Sequence, residues 1–263
     1  KDYDYIIQEC NTMESLLIEN TIKSITQIQS IYIRKLWATI QLKKYKEAIS
    51  EGINYSKLSP EGSIQWYILN LYVVKASLYQ KEYIRAFKIF NKILNLKKFK
   101  SLNNALKEIF DLTLGYLYLI KDSGIDPVLQ DLPLPEFRMA RFLNSAPIYS
   151  KDKSGMNISI LLLQIAFMLQ KKNFIKAADR IESLRSYASK YLRRNETFRS
   201  NCMMKMIMEM AKADFNPRKT ERYTATLRAQ LDEMPLHSIG GNIEVEVIPF
   251  EDLWEIIMRS LEK

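Results

Sequence analysis

The sequence predicts an all-α protein made of antiparallel helix hairpins that stack as a solenoid, with one short strand near the C-terminal end. Two observations carry this. A short grammar, a basic polar turn followed by an aromatic and then by alanine three residues on, occurs at Tyr45 and Ala48, at Tyr83 and Ala86, and at Phe174 and Ala177. Each copy lies between stretches whose apolar residues recur at the three- and four-residue spacing of one helix face. Recurrence of one supersecondary unit marks architectures whose members bury a core only by stacking on their neighbours.

Composition bounds the remaining possibilities. The chain has 263 residues, 47% hydrophobic and 26% charged, which is ordinary for a globular protein with ample core. Two sections are expected, 1–145 and 146–263, continuous with each other as one elongated body. The two cysteines, Cys10 and Cys202, lie too far apart in a cysteine-poor chain to suggest a disulfide framework or a four-ligand zinc site, and a cytoplasmic setting follows. The apolar run from Ile158 to Leu169 is interrupted by Ser159 and Gln164 and falls short of the roughly 20 residues that span a bilayer. No membrane span is expected. The chain begins at Lys1 rather than Met, which leaves room for a processed start. The formal net charge of +9 raises nucleic acid or an acidic partner, and the charges are unevenly spread. Residues 1–29 are acidic on balance, whereas 81–100 and 170–199 hold most of the basic excess.

Taken in order, Tyr5 to Ile18 reads as a helix, and Ile22 to Leu42 as a longer one with Ile25, Ile28, Ile31, Leu36 and Ile40 on one face. Tyr45 to Lys57 follows. Ser59 and Pro60 read as a cap and a first-turn proline for a helix over about 61–80. Tyr83 to Leu96 completes a second hairpin, and Leu102 to Ile120 begins a third. Its partner does not arrive on schedule. Instead Gly124, Pro127, Pro133 and Pro135 break the helix and impose an extended path before a short helix ending near Asn144. Met156 to Gln170 pairs with Phe174 to Leu192. Phe198 to Ala213 is methionine-rich and apolar all round, which suits burial on two sides. A helix from Asn216 and Pro217 to Glu233 follows, then Ile243 to Ile248 with the period of a strand, and a last helix from Phe250 to Leu261.

The first two copies of the grammar are 38 residues apart, close to the roughly 34-residue period of a tetratricopeptide repeat. With Ala48 on that family's small residue of the second helix, Gly52, Tyr55 and Pro60 fall on its later positions, and the second copy supplies Ala86, Phe90 and Ile93. Leu114, Gly115 and Tyr118 match its Leu-Gly-x-x-Tyr spacing. The chain resembles tetratricopeptide-repeat proteins, and the resemblance implies a right-handed α-α superhelix that binds protein or peptide partners on its concave face. The family's tryptophan and Leu-Gly pattern is missing from the first helices of the first two hairpins. The last 80 residues or so, with Ile243 to Trp254, resemble the tail of uncharacterised bacterial helical-repeat proteins, which implies no activity.

For function the sequence supports a non-catalytic interaction module. His237 is the sole histidine and has no nucleophile beside it, and no glycine-rich strand-to-helix turn is present to cradle phosphates, so no catalytic residue, metal ligand or cofactor is assigned. First helices of such arrays line the concave face, which makes Arg34, Trp37, Tyr72, Lys75, Tyr79 and Tyr116 the candidates for a partner groove. The family's carboxylate clamp is absent, since Ile33, Leu71, Leu112 and Leu162 occupy its positions, so the groove should be apolar. A second candidate is a basic patch of Lys176, Arg180, Tyr187, Lys190, Arg193, Arg194 and Arg199, suited to nucleic acid or a phosphate ligand. A solvated helix face is the plainer account of the same charges. An enzyme site at the proline excursion would need convergent ionisable groups near Asp126 to Arg141.

Overall fold

The computed structural model describes residues 2–19, 25–144, 156–191, 198–233 and 246–262, and among them the chain is all-helical with no strand. The α-helices are α1 (Tyr3–Glu19), α2 (Ile25–Gln41), α3 (Tyr45–Leu58), α4 (Ile64–Tyr79), α5 (Tyr83–Leu94), α6 (Asn104–Ser123), α7 (Met139–Asn144), α8 (Met156–Gln170), α9 (Phe174–Tyr191), α10 (Phe198–Lys212), α11 (Pro217–Glu233) and α12 (Phe250–Glu262). Two 3-10 turns, Lys97–Ser101 and Pro127–Asp131, follow α5 and α6.

The chain divides into two compact units, one of residues 1–107 with 131–135, the other of 108–130 with 136–263. That division falls earlier in the sequence than 145/146. In the first unit α1 packs on α2, α2 on both α3 and α4, α3 on α4, and α4 on α5. In the second, α8 packs on α9 and α12, α10 on α9, α11 and α12, and α11 on α12. The two interior helices are legible by composition. Twelve residues of α4 are buried, Val73, Val74 and Ala76 among them, and every residue of α8 from Asn157 to Leu169 is buried. Neither helix has a wet face, so neither needs amphipathic patterning.

The recurring grammar has one backbone cause. Lys43, Lys81 and Lys172, each two residues before the aromatic, adopt left-handed φ values of 59°, 60° and 56°. In each copy that lysine donates its N–H three residues back and the next residue donates five residues back: Lys43 to Ile40 and Lys44 to Thr39, Lys81 to Leu78 and Glu82 to Ser77, Lys172 to Leu169 and Asn173 to Met168. This pair of bonds is the Schellman arrangement, which satisfies otherwise orphaned carbonyls at a helix end and reverses the chain. The alanine three residues after the aromatic then meets the preceding helix, and Ala48, Ala86 and Ala177 are all fully buried.

A fourth hairpin, α10 with α11, escapes the sequence pattern. Asp214 and Phe215 take φ values of 53° and 57°, Asp214 N donates to Ala211 O and Phe215 N to Met210 O. The turn is one residue longer than in the three copies, so counted from the start of the following helix Pro217 stands where the aromatic would be, and the fully buried Thr220 where the alanine would be.

Two local expectations are corrected. Pro60 does not open α4. Its carbonyl accepts from Ser63 N, and the helix begins at Ile64 with Ser63 Oγ accepting from Trp66 N at 3.2 Å, so serine rather than proline makes the start. The described part of the expected strand, Glu246 to Ile248, is a bend with no ladder partner, and Ile243 to Val245 lie outside the described residues. Val247 and Ile248 bury their side chains while Glu246 turns its carboxylate back to accept from Phe250 N at 2.8 Å, capping α12. The proline excursion breaks the helix after Ser123 as expected, and two apolar residues anchor it: Leu129 is fully buried, and Phe137 sits among Tyr118, Phe142 and Phe167 with centroids 5.4–6.0 Å apart. Gly115 makes room for it, since a Cβ there would stand 3.1 Å from Phe137 Cζ and 2.7 Å from Leu163 Cδ2.

Candidate functional site

In the first unit, α1 and α2 leave an open apolar groove of about 480 Å³ lined by Cys10, Met13, Leu16 and Leu17 from α1 and by Thr26, Gln27, Ser30, Ile31 and Arg34 from α2. The positions 10, 13, 17 and 27, 30, 31, 34 follow helical spacing, so one face of each helix builds it. Met13 and Leu16 are about half exposed, while Cys10 is closed off at the floor. Burial pushes the Cys10 thiol up, and Arg34 and Lys35 draw it only partly back. The thiol therefore stays protonated and acts as apolar lining. Arg34 is exposed at the edge and supplies the one cation among the described residues of the lining.

Lys35, one position on, points elsewhere and builds a polar cluster. Its Nζ lies 3.1 Å from Glu14 Oε2 and 5.7 Å from the ring of Tyr55, which stacks on Tyr32 with centroids 4.0 Å apart. Burial disfavours the Lys35 charge, but Glu14 and Tyr55 more than offset it and hold the ammonium above its ordinary range. Glu51 is pushed up, first by burial and then by Glu47 and Glu14, with Lys35 opposing. The folded state thus holds the Glu51 proton more tightly than the unfolded chain does, so stability falls as pH rises from the unfolded value through the folded one. Glu51→Gln is expected to raise the thermal midpoint at pH 7 and to leave it unchanged near pH 3, where both states carry the proton. An equal rise at both pH values would show that charge is not the cause.

The structure does not bring the six groove candidates together. Arg34 lines the groove. Trp37 is half-buried against Tyr3, edge to face at 5.4 Å, and its indole N–H is buried without a hydrogen-bond partner. Tyr72 and Tyr79 are buried in α4, with Tyr45 edge-on to Tyr79 at 5.4 Å and Lys75 Nζ 5.3 Å over the Tyr79 ring. Tyr116 is enclosed in the second unit and donates its hydroxyl to Ser159 O at 3.0 Å. Burial drives its phenol far up. Packing has taken these three tyrosines because their helices are covered on more than one side. The residues that replace them, Met13, Leu16 and Leu17, come from α1, which precedes the first copy of the repeat grammar.

The basic patch is also redistributed. Lys176 and Arg180 lie on α9 and line a second cavity, of about 530 Å³, together with Ala140, Met168, Lys171, Asn173, Asp179 and Ser183. Tyr187 and Lys190 belong to the end of α9 but their side chains, like the whole of Arg193 and Arg194, lie outside the described residues. Arg199 is no surface cation. It is 5% exposed, and its Nε and Nη2 donate to Glu246 at 3.1 and 2.6 Å, Nη2 also to Glu251 at 2.7 Å, and Nη1 to Leu231 O at 2.9 Å. Burial disfavours its charge, but the two carboxylates more than offset that and raise it above its ordinary range. Its partners are 47 and 52 residues away, which is why neighbouring arginines misplace it.

Among the described residues no cluster of histidine, cysteine or carboxylate side chains has the arrangement of a metal site, and no helix is long and apolar enough to cross a membrane. Both cysteines are free and buried, and His237 lies outside the described residues. Among the described residues, fold and site define an all-α protein of helix hairpins with an apolar groove and a polar cavity. Comparison with protein-family models, with curated proteins and with solved structures returned no match to this chain.

Proposed function

We propose that this chain is a non-catalytic interaction module of the tetratricopeptide type, whose hairpins stack in the right-handed sense and which takes a peptide segment of a partner protein in the cytoplasm. The observation that carries the reading is the open apolar groove between α1 and α2 with Arg34 at its edge. A groove of this kind holds the apolar side chains of a peptide, while a single exposed guanidinium orients a nearby carboxylate. The groove lies on α2, the first helix of the first hairpin, where arrays of this kind contact their ligands. The repeated Schellman turns and the buried alanines support the repeat assignment.

Selection of a displayed peptide library on the purified chain tests this. Enriched peptides should carry a large apolar residue within a few positions of Asp or Glu, and should lose about tenfold or more in affinity for Arg34→Glu and for Leu16→Glu. Both side chains are exposed, so helical circular dichroism should not change. Selected peptides that bind both variants as well as the native chain would place the contact elsewhere.

A further inference from the structure

The cavity beside α9 has a chemistry that the groove lacks. Lys176, Asp179, Arg180 and Ser183 stand at i, i+3, i+4 and i+7, so one stripe of α9 forms its polar wall. Lys171 adds a third cation from the turn before α9, and Met168 at the end of α8 supplies an apolar surface. Asn173 lends its Oδ1 to Lys176 N at 3.2 Å, which leaves its amide NH2 as a donor. The volume, about 530 Å³, lies within the roughly 300–1,000 Å³ of small-molecule sites.

We propose that this cavity binds a phosphate monoester of a small hydroxylated molecule, of the sugar-phosphate class. Among the described residues of the lining, three cations and one carboxylate sum to a formal charge of +2, the complement of a monoester dianion. Arg180 places a guanidinium with five N–H donors in the wall, enough to serve phosphate oxygens beside the contact it already makes, and the two lysines act as point charges near it. Asp179 accepts from a hydroxyl group and repels a second phosphate. Met168 covers the carbon skeleton. A polynucleotide fits less well, because its phosphates need a continuous basic track, whereas Asp179 interrupts the stripe and Arg199 is buried in ion pairs. The proposal does not rest on the groove in the first unit.

Calorimetric titration of the full chain with glucose 6-phosphate, ribose 5-phosphate and glycerol 3-phosphate tests it, with glucose, inorganic phosphate, a phosphoserine peptide and oligothymidylate as comparisons. At least one of the three esters should bind saturably and about tenfold more tightly than inorganic phosphate, and glucose should not bind. Lys176→Gln and Arg180→Gln should each weaken the ester about tenfold. Asp179→Asn should reduce the ester to the level of inorganic phosphate without weakening phosphate itself. Circular dichroism reports folding, and Lys176 is exposed, so at least that variant keeps its helices. Three results would overturn the proposal: no saturable binding of any ester, ester binding that ignores these substitutions, or tighter binding of the oligonucleotide or the phosphopeptide at the same residues. Peptide capture by the groove should be untouched in all three variants, so failure of one reading is separable from failure of the other.

Discussion

Arg199→Met is expected to destabilise the second unit by about 3–5 kcal/mol, the range for removing one partner of a buried ion pair. The native guanidinium serves Glu246, Glu251 and the carbonyl of Leu231, and Glu246 also caps α12 through Phe250 N. Methionine fills similar space but leaves two carboxylates facing each other and a carbonyl unpaired. The loss therefore comes from stranded charge more than from lost packing, and that has a consequence. Adding Glu246→Gln and Glu251→Gln should recover part of the loss, because an uncharged set no longer repels, whereas independent sites would add. Urea titrations followed by circular dichroism measure both. A loss under about 1 kcal/mol for Arg199→Met would put the network with exposed ion pairs and refute the account.

What the sequence could disclose divides along range of interaction. Tyr45 with Ala48, Tyr83 with Ala86 and Phe174 with Ala177 were legible because turn and first crossing are settled within about ten residues, and the helix bounds came out within three residues wherever a turn of this kind closes them. Thr220 shows the limit of that grammar: a buried small residue keeps the geometry after the letters have changed. Tyr116 and Arg199 misled for the opposite reason. Tyr116 was assigned from its place on a first helix and Arg199 from the basic residues before it in the chain, but Ser159 lies 43 residues from Tyr116 and the carboxylates lie farther still from Arg199. Lys171, Asp179 and Ser183 had no signal of their own, since the cavity exists only once α7 and α8 supply its other walls. The same holds for Met13 and Leu16, which become groove lining only because α2 packs beside α1.

Ala177→Leu should cost about 1–3 kcal/mol, while Ala178→Leu, one residue on, should stay within about 0.5 kcal/mol. Both substitutions exchange strong helix formers, so propensity cancels between them. They differ in surroundings: Ala177 is fully buried where α9 meets α8, and Ala178 is exposed. Adding a branched side chain at 177 forces the helices apart or drives neighbours off their rotamers, and at 178 it projects into water. Ala48→Leu and Ala86→Leu should behave as Ala177→Leu does. At Ala48 the constraint is sharpened by Gly52, one turn later, where even a Cβ would stand 2.5 Å from Val73 Cγ2 and 3.0 Å from Leu36 Cδ2, so α3 has no slack against α2 or α4. Thermal and urea midpoints of the four variants decide the matter. If 177 and 178 respond alike, the alanine marks helix propensity alone and the three copies lose their common physical cause. If they split, close crossing is what the repeated alanine serves, and Thr220 becomes the natural fourth site at which to look for the same intolerance.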